Sequence, residues 1–317
     1  MGRAAKIIFM GTPEFAVPSL KALIEAGHDL LAVVTQPDRP RGRGREPSPS
    51  PVKAVAVEHG IRVLTPTKLR DAAFAAELRA MGPEFVVVVA YGRLLPQSVL
   101  DVPAGGCINL HASLLPAYRG AAPINRAIIN GDRETGVCTM LMDTGLDTGP
   151  VLLERKVPIG DDDTARDLAV KLSNEGALLL KETIAQLIEG GLTPRPQDDS
   201  RATFAPMLKK EDGRIDWSKG SEEIRNLMRG LYPWPGAYTQ WEGKGVVKIH
   251  SARSHTGPGV DAVAPPGTII DVKGDTIDVA CGKGVLRITE LQPENKRRMS
   301  AGEFISGYRI CKGERFI

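Results

Sequence analysis

The chain contains few of the residues that mark several common protein classes. Aromatic residues make up only 5% of its 317 residues, which disfavours a nucleic-acid binder built on stacked aromatic platforms. The four cysteines form no C-x-x-C pair and no zinc-like cluster, so we expect free thiols in a reducing cytoplasm and no metal site. The longest apolar run, Phe85–Tyr91, is too short to span a bilayer, and the first residues lack a secretory apolar core. We therefore expect a cytoplasmic protein without a membrane segment.

The common nucleotide-binding and hydrolase motifs are also missing. The first predicted strand, Lys6–Met10, leads into a turn with a single glycine, Gly11, so the dinucleotide fingerprint G-x-G-x-x-G is absent. The chain also lacks G-x-x-x-x-G-K-[ST], H-E-x-x-H and G-x-S-x-G. These absences disfavour hydride transfer, nucleotide hydrolysis and serine hydrolysis.

The pattern of hydrophobic residues changes partway along the chain. The first part alternates buried strands, such as Lys6–Met10 and Leu30–Val34, with helices, which predicts a mostly parallel, Rossmann-like α/β sheet with flanking helices. Its last element is a long predicted helix, Ala165–Glu189. Beyond Met207, about five short strands broken by glycine and proline are typical of a small β-barrel. We predict an α/β domain over 1–190, a linker over 191–206 and a barrel domain over 207–317.

Charge is distributed unevenly between these parts. The net charge is only +3, but residues 1–200 hold 22 Lys and Arg against 24 Asp and Glu, whereas residues 201–317 hold 19 against 14. The basic second part favours a polyanionic partner. A solubilising surface explains the same charges equally well.

The stretch Cys107–Gly149 carries the candidate chemistry. Asn109 and His111 are two residues apart near the end of a predicted strand, so their side chains leave the same face. An amide beside an imidazole offers donors for an oxyanion and a group that moves a proton near neutral pH. Asp147 follows a second predicted strand, Val137–Met142, and a strand–helix–strand return would bring its carboxylate beside His111. Capping and turn formation explain these side chains too, and the residues alone leave both interpretations open.

Two motifs in this stretch resemble the signatures of the folate-dependent formyltransferase family. They are Asn109–Pro116 with Tyr118-Arg119-Gly120, and Met142–Gly149. The resemblance implies that a catalytic trio, Asn109, His111 and Asp147, acts on the formyl group of 10-formyltetrahydrofolate. This chemistry requires no metal. The resemblance also implies that the folate is bound, largely through backbone groups, by Ser113, Leu114, Leu115 and Pro116.

An irregular segment with four arginines and four prolines, Arg39–Pro51, interrupts the first part of the chain. We expect it to form neither helix nor strand. Its alternating arginines suit nucleic-acid phosphates, although a solvated loop accounts for them as well. Formyltransferases that act on initiator methionyl-tRNA carry an insertion here, and the borders of the segment resemble it. The resemblance implies tRNA contacts by Arg39, Arg41, Arg43 and Arg45.

The resemblance covers nearly the whole chain. Asp216-Trp217, Tyr232–Gly236 and Lys296–Met299 are similar to landmarks of the OB-like, tRNA-binding C-terminal domain of the same family members. It implies transfer of a formyl group from the folate to the amino group of initiator methionyl-tRNA. We also expect a monomer. The alternatives are a formyltransferase acting on a sugar amine or other small amine, a folate hydrolase, and a non-enzymatic RNA-binding protein. The last of these leaves the trio unexplained.

Overall fold

The chain forms two compact units in a computed structural model that describes residues 3–41, 46–256 and 264–317. Unit one comprises Met1–Pro123, Glu134–Pro158 and Ala169–Pro206. Unit two comprises Ile124–Arg133, Ile159–Leu168 and Met207–Ile317. Two short segments of the predicted first domain therefore cluster with the second unit, and the predicted boundaries stay a prediction.

Unit one is built on a seven-stranded mixed sheet and two short two-stranded ladders. Its strands are β1 (Lys6–Gly11), β2 (Asp29–Val34), β3 (Arg39–Arg41), β4 (Glu46–Ser48), β5 (Val63–Leu64), β6 (Phe85–Val89), β7 (Cys107–His111), β8 (Arg119–Gly120), β9 (Glu134–Leu141), β10 (Val151–Pro158) and β11 (Phe204–Ala205). The large sheet has the order β10-β9-β7-β6-β1-β2-β5. Five neighbouring strands are parallel to one another, namely β7, β6, β1, β2 and β5. Strand β9 is antiparallel to both of its neighbours, β7 and β10. The centre of the sheet is the run of buried valines in β6, as expected for a strand covered on both faces.

Two of the helices that follow the first strands, α2 and α3, begin at a side chain that accepts a hydrogen bond from a backbone N–H of the first turn. The helices of this part are α1 (Val17–Glu25), α2 (Pro51–Glu58), α3 (Ala72–Ala80), α4 (Gln97–Leu100), α5 (Pro123–Ile129) and α6 (Ala165–Glu189), with 3-10 turns at Glu14–Ala16 and Asp199–Arg201. The Ser50 hydroxyl accepts the Lys53 N–H at 3.1 Å, and Asp71 accepts the Ala73 N–H at 3.0 Å. None of the helices that the structure describes is long and apolar enough to cross a membrane.

The segment Arg39–Pro51 contains regular backbone, so the prediction that it forms no strand is wrong. β3 and β4 pair antiparallel, with Pro40 opposite Pro47. Proline has no N–H to donate, and two prolines can face each other only where the ladder needs no hydrogen bond between them. The predicted tRNA contacts Arg43 and Arg45 lie outside the described residues.

The part of unit two that follows Met207 contains an antiparallel sheet with two helices, and most of α5 also belongs to this unit. Its elements are α7 (Ser221–Gly230), β12 (Ala237–Trp241), β13 (Gly245–His255), β14 (Ile269–Lys273), β15 (Thr276–Ala280), β16 (Val285–Pro293), β17 (Met299–Ser300) and α8 (Ala301–Tyr308), with a 3-10 turn at Lys210–Gly213. The strand order is β12-β13-β16-β15-β14, and β17 pairs with β16. Large buried side chains, among them Trp241, Phe304 and Phe316, fill its core. The predicted combination of an α/β unit and an all-antiparallel unit is confirmed.

The C-terminal residues connect the two ends of this strand order. Gln240 of β12 exchanges two backbone hydrogen bonds with Ile317, at 3.0 and 2.8 Å. Phe316 donates its N–H to Gly267, just before β14, at 2.8 Å. The ends of the sheet are thus linked through one segment, which is consistent with an OB-like barrel, while complete closure stays a prediction.

Candidate active site

The predicted trio lies on β7 and on the loop after β9. Asn109 pairs with Val88 of β6 on one side and with Met140 of β9 on the other. His111 follows two residues later, at the carboxyl end of β7, and is only 6% exposed. Since side chains alternate along a strand, Asn109 and His111 leave the same face, as their spacing predicts.

Each ring nitrogen of the His111 imidazole lies near an oxygen atom of the protein. Its Nε2 lies 3.0 Å from the backbone carbonyl oxygen of Tyr118. A carbonyl only accepts, so Nε2 carries the hydrogen and donates it. Its Nδ1 lies 3.7 Å from Oδ2 of Asp147, which is close enough for an ion pair with an imidazolium but too long for a direct hydrogen bond. Nδ1 is therefore the ring nitrogen that could form a hydrogen bond with a substrate.

Asp147 reaches His111 from a loop and not from a strand end. The chain returns through α5 and β9, and β9 runs antiparallel to β7, so the carboxylate approaches from the loop beyond Leu141. Its Oδ2 accepts the Gly120 N–H at 2.8 Å. The backbone of Asp147 has φ 54°, in the left-handed region that aspartate tolerates better than most residues. The nearness of His111 and Asp147 therefore depends on contacts with a third segment, the one that contains Gly120.

Position 120 requires glycine, because only a residue without a side chain fits where its N–H reaches Asp147. Its φ is 120°, and a Cβ atom there would lie 2.8 Å from the carbonyl oxygen of Ala205. That close approach is the parallel pairing of β8 with β11. Any other residue at position 120 would push strands β8 and β11 apart and move the N–H that is bonded to Asp147.

The predicted folate-binding residues form the turn that follows β7. Ser113 is fully buried, and its hydroxyl donates to the carbonyl oxygen of Ala117 at 2.5 Å. Leu115 packs in a small buried cluster with Cys138 and Met140 of β9. These two side chains contact the protein interior, so ligand binding by this turn would use backbone groups. Folate binding here stays a prediction.

A pocket of about 370 Å³ opens at the carboxyl ends of β1, β2 and β6. Its floor is organised by the carbonyl oxygen of Tyr91, which accepts hydrogen bonds from Gln36 Nε2 at 3.0 Å and Thr12 Oγ1 at 3.3 Å. β6 is the direct neighbour of β7, so the pocket lies one strand away from the one that carries His111. The chain leaves β1 and β6 toward opposite sides in the strand order, and open α/β sheets bind ligands at such points. No sequence motif singles out Gln36 or Thr12.

The two cysteines of β7 and β9 have unreactive thiols. Cys107 of β7 and Cys138 of β9 are buried, and burial raises the pKa of each thiol to about 12. Such thiols stay protonated near neutral pH and are poor nucleophiles. Over the described ranges 3–41, 46–256 and 264–317, no three His, Cys, Asp or Glu side chains are grouped so that they could hold a metal ion.

The mixed sheet of unit one brings an amide and an imidazole on β7 next to a carboxylate from the loop after β9, and two family models match the chain that forms this arrangement. The formyl transferase model matches residues 5–184, and the model of the formyl transferase C-terminal domain matches residues 207–309. The chain belongs to the formyl transferase family.

Relatives of known name narrow the resemblance further. The methionyl-tRNA formyltransferase of Citrifermentans bemidjiense is 52% identical over 308 residues, covering 97% of this chain and 95% of that protein. The methionyl-tRNA formyltransferase of Geobacter metallireducens is 53% identical over 309 residues, covering 98% and 97%. Among solved structures, HypX from Aquifex aeolicus in complex with tetrahydrofolic acid has a TM-score of 0.65 at 18% identity. That match covers 96% of this chain and 48% of HypX, and it bears on the fold alone.

Proposed function

We propose that this protein transfers the formyl group of 10-formyltetrahydrofolate to the free amino group of initiator methionyl-tRNA, giving N-formylmethionyl-tRNA for translation initiation. Relatives more than 50% identical over nearly the full chain, both named methionyl-tRNA formyltransferase, support this acceptor. The tetrahydrofolic acid bound by a protein of the same fold supports a folate donor. The structural observation that best supports a formyl-transfer site is the position of His111 between the Tyr118 carbonyl and the Asp147 carboxylate.

The reaction is an acyl transfer through a tetrahedral intermediate. The methionyl amine attacks the formyl carbon, the carbonyl oxygen gains negative charge, and the bond from that carbon to N10 of the folate then breaks. Asn109 and His111 leave the same face of β7, so both can donate to that oxygen. One well-placed donor of this kind contributes about 3–4 kcal/mol to transition-state stabilisation.

The proton balance assigns different tasks to the two nitrogens of His111. Nε2 is fixed by the Tyr118 carbonyl and orients the ring. Nδ1 faces the Asp147 carboxylate, which favours the imidazolium, and the N–H that the imidazolium carries at Nδ1 stabilises the oxyanion. The attacking amine must lose a proton, and N10 must gain one as it leaves. We assign Asp147 the task of receiving the amine proton and delivering it toward N10.

We assign the pocket at the ends of β1, β2 and β6 to the acceptor. Its wall includes Asp38 and Ser48, which lie at the end of the β3–β4 ladder where Arg39 pairs with Ser48. Asp38 is ion-paired with Lys53 of α2 at 2.6 Å, so this wall is held against α2. A single-stranded acceptor end would therefore enter this pocket beside the β3–β4 ladder, whose first strand contains Arg39 and Arg41.

The arginines of that segment are proposed to contact tRNA phosphates. Arg39 and Arg41 lie on β3, and with Arg43 and Arg45 they give a closely spaced set of positive charges in the sequence. Each lost phosphate contact should reduce the slope of log affinity against log salt by about one unit or slightly less. Folate affinity should not change.

The test combines an activity assay with a binding titration. Wild-type protein given 10-formyltetrahydrofolate and charged initiator tRNA should form N-formylmethionyl-tRNA, and the same tRNA without methionine should give no product. Arg43→Ala should raise KM for methionyl-tRNA and lower the salt slope. The matched control, Arg79→Ala on the exposed side of α3, should change neither. Formylation of a sugar amine in preference to methionyl-tRNA would refute the proposed acceptor, and equal salt slopes for Arg43→Ala and wild type would refute the arginine contacts.

A further inference from the structure

We propose that Gln197, held by the buried Arg119, is a positioning residue that fixes Asp147 against His111. Gln197 lies in the segment 191–206, which the sequence identifies only as a linker. The inference rests on the proposed function, because it concerns how the formyl-transfer site is held. It goes beyond that function, since neither the trio nor the folate turn includes this segment.

The side-chain amide of Gln197 is fully occupied. Its Nε2 donates to the carbonyl oxygens of Asp147 and Gly149, at 2.8 and 2.7 Å. Its Oε1 accepts from Arg119 Nη2 at 2.8 Å and from Arg119 Nε at 3.1 Å. An amide rotated by half a turn would face two carbonyls with its oxygen and a guanidinium with its nitrogen, so this orientation is the one the contacts allow.

Arg119 is well suited to anchor this amide. Its side chain is only 4% exposed, and its Nη2 also donates to Asp199 at 2.6 Å, which supplies the counter-charge. Asp199 is 80% exposed, so the ion pair with Arg119 joins a surface carboxylate to the interior of unit one. A buried guanidinium that lost these acceptors would be left unsatisfied, at a large cost, which keeps Gln197 in place.

The contacts hold Asp147 at both ends. Gly120 donates its N–H to the carboxylate at 2.8 Å, and Gln197 donates to the backbone carbonyl at 2.8 Å. Gly120 directly follows Arg119 in the chain, so both attachments originate from β8 and the groups bound to it. A residue at φ 54° keeps that conformation only where surrounding contacts impose it. Without Gln197, the loop could rotate the carboxylate away from His111.

The same segment also supports the other side of the imidazole. Thr203 Oγ1 accepts the N–H of Tyr118 at 2.8 Å, and the carbonyl of Tyr118 accepts from His111. Tyr118 has φ 60°, so it too is in the left-handed region. Residues 197 and 203 thus stabilise the two backbone conformations on which the orientation of His111 and Asp147 depends.

The test compares Gln197→Met with wild type. Methionine has a similar length but cannot donate, so the Asp147 loop loses its backbone contact while the segment keeps its bulk. A displacement of about 1 Å at a reacting group costs up to about 100-fold, and we expect kcat to fall by roughly 10- to 50-fold with KM for the folate unchanged. Asp198→Ala is the matched control, because Asp198 bonds only within its own turn, to Ser200, in the described contacts. This control should keep the wild-type kcat.

Two further measurements separate positioning from general destabilisation. Amide hydrogen exchange at Gly120 should be faster in Gln197→Met than in wild type, since its acceptor is no longer fixed, and this readout does not depend on activity. In an Asp147→Asn background, Gln197→Met should lower kcat by no more than about twofold, because the two changes act through the same carboxylate. A full additional 10-fold loss in that background would overturn the inference.

Thr203 offers a conservative rescue. Thr203→Val loses the hydroxyl and should lower kcat by roughly threefold, whereas Thr203→Ser keeps it and should retain wild-type kcat. Equal kcat values for Thr203→Val and Thr203→Ser, or wild-type kcat and exchange in Gln197→Met, would overturn the role of the segment. If the wild-type protein makes no N-formylmethionyl-tRNA, the proposed function fails instead, and the exchange experiment still decides whether Gln197 fixes the loop.

Discussion

The tripeptide Asp-Thr-Gly occurs twice in close succession, at 143–145 and at 147–149, and the two copies do different things. Asp143 accepts the N–H of Gly145 at 2.9 Å and the hydroxyl of Thr148 at 2.7 Å. Both partners lie within its own loop. Asp147 instead accepts the N–H of Gly120 at 2.8 Å and faces His111 at 3.7 Å. The first copy makes a turn, and the second contributes to a site.

The difference lies in what surrounds each aspartate and not in local sequence. Asp143 is exposed, and aspartate with glycine two residues later is a common turn arrangement that closes without outside help. Asp147 is largely screened from solvent, with only 17% of its side chain exposed, and its neighbours come from two other segments of the chain. Contacts from distant segments therefore place one of two identical tripeptides in the candidate site. The same substitution made in each copy should have different effects on activity and stability.

The largest difference should come from removing the charge of each aspartate. Asp147→Asn keeps the side-chain size, an acceptor for Gly120 and tolerance of positive φ, but loses the carboxylate that faces His111. We expect kcat to fall by roughly 100-fold or more, which corresponds to about 2.7 kcal/mol of transition-state stabilisation. Folate affinity should hardly change. Steady-state kinetics of N-formylmethionyl-tRNA formation measures both.

Asp143→Asn is the matched control for that experiment. Its carboxylate bonds only within the loop among the described contacts, so kcat should stay within about threefold of wild type. If Asp147→Asn retained near-normal kcat, or if Asp143→Asn lost as much, the distinction between the two copies would collapse.

The sequence predicted the elements of the fold better than the geometry of the site. Buried valine runs and helix caps identified β6 and α6, the latter with its observed bounds, because these depend on local periodicity. The five strands in the main order of unit two agree in number with the short strands predicted beyond Met207. α8 was missed, although Ser300 and Glu303 form a capping box at its start.

Two motifs predict the trio, but they do not predict the contacts that hold His111 and Asp147 in position. Gln197, Arg119 and Thr203 come from segments whose composition indicates only a linker and a turn. Proline, aspartate and serine indicate that a segment is not helical, but they do not indicate which distant groups its side chains bond to. The contacts of Gln197 with Asp147 link positions far apart in the chain, and no local pattern records such a pairing.

The second comparison concerns the glycines that end the two copies. A Cβ on Gly149 would lie 1.8 Å from the backbone carbonyl oxygen of Leu141, which cannot move without disrupting β9. A Cβ on Gly145 would lie 1.9 Å from the hydroxyl of Thr148, a side-chain atom that can rotate away. Gly149→Ala should therefore lower the free energy of unfolding by about 2–3 kcal/mol, and Gly145→Ala by about 1 kcal/mol. Chemical denaturation of both variants measures this.

The outcome that contradicts this prediction is equal destabilisation by the two alanines. It would mean that the loop before β10 moves as freely around Gly149 as around Gly145. In that case the fixed position of Asp147 would have to be explained by Gly120 and Gln197 alone.

The smallest effect is expected at the threonines, where the copies are joined to each other. The hydroxyl of Thr148 donates to both carboxylate oxygens of Asp143, at 2.7 and 2.9 Å, so the second copy is tied to the first. Thr148→Val keeps the shape and removes this bond, which should lower the free energy of unfolding by about 1 kcal/mol and kcat by no more than about threefold. Thr144→Val, at the equivalent exposed position of the first copy, should change neither quantity. If Thr148→Val lowered kcat by 10-fold or more, the turn made by Asp143 would itself have to position Asp147, and the two copies would act as one unit.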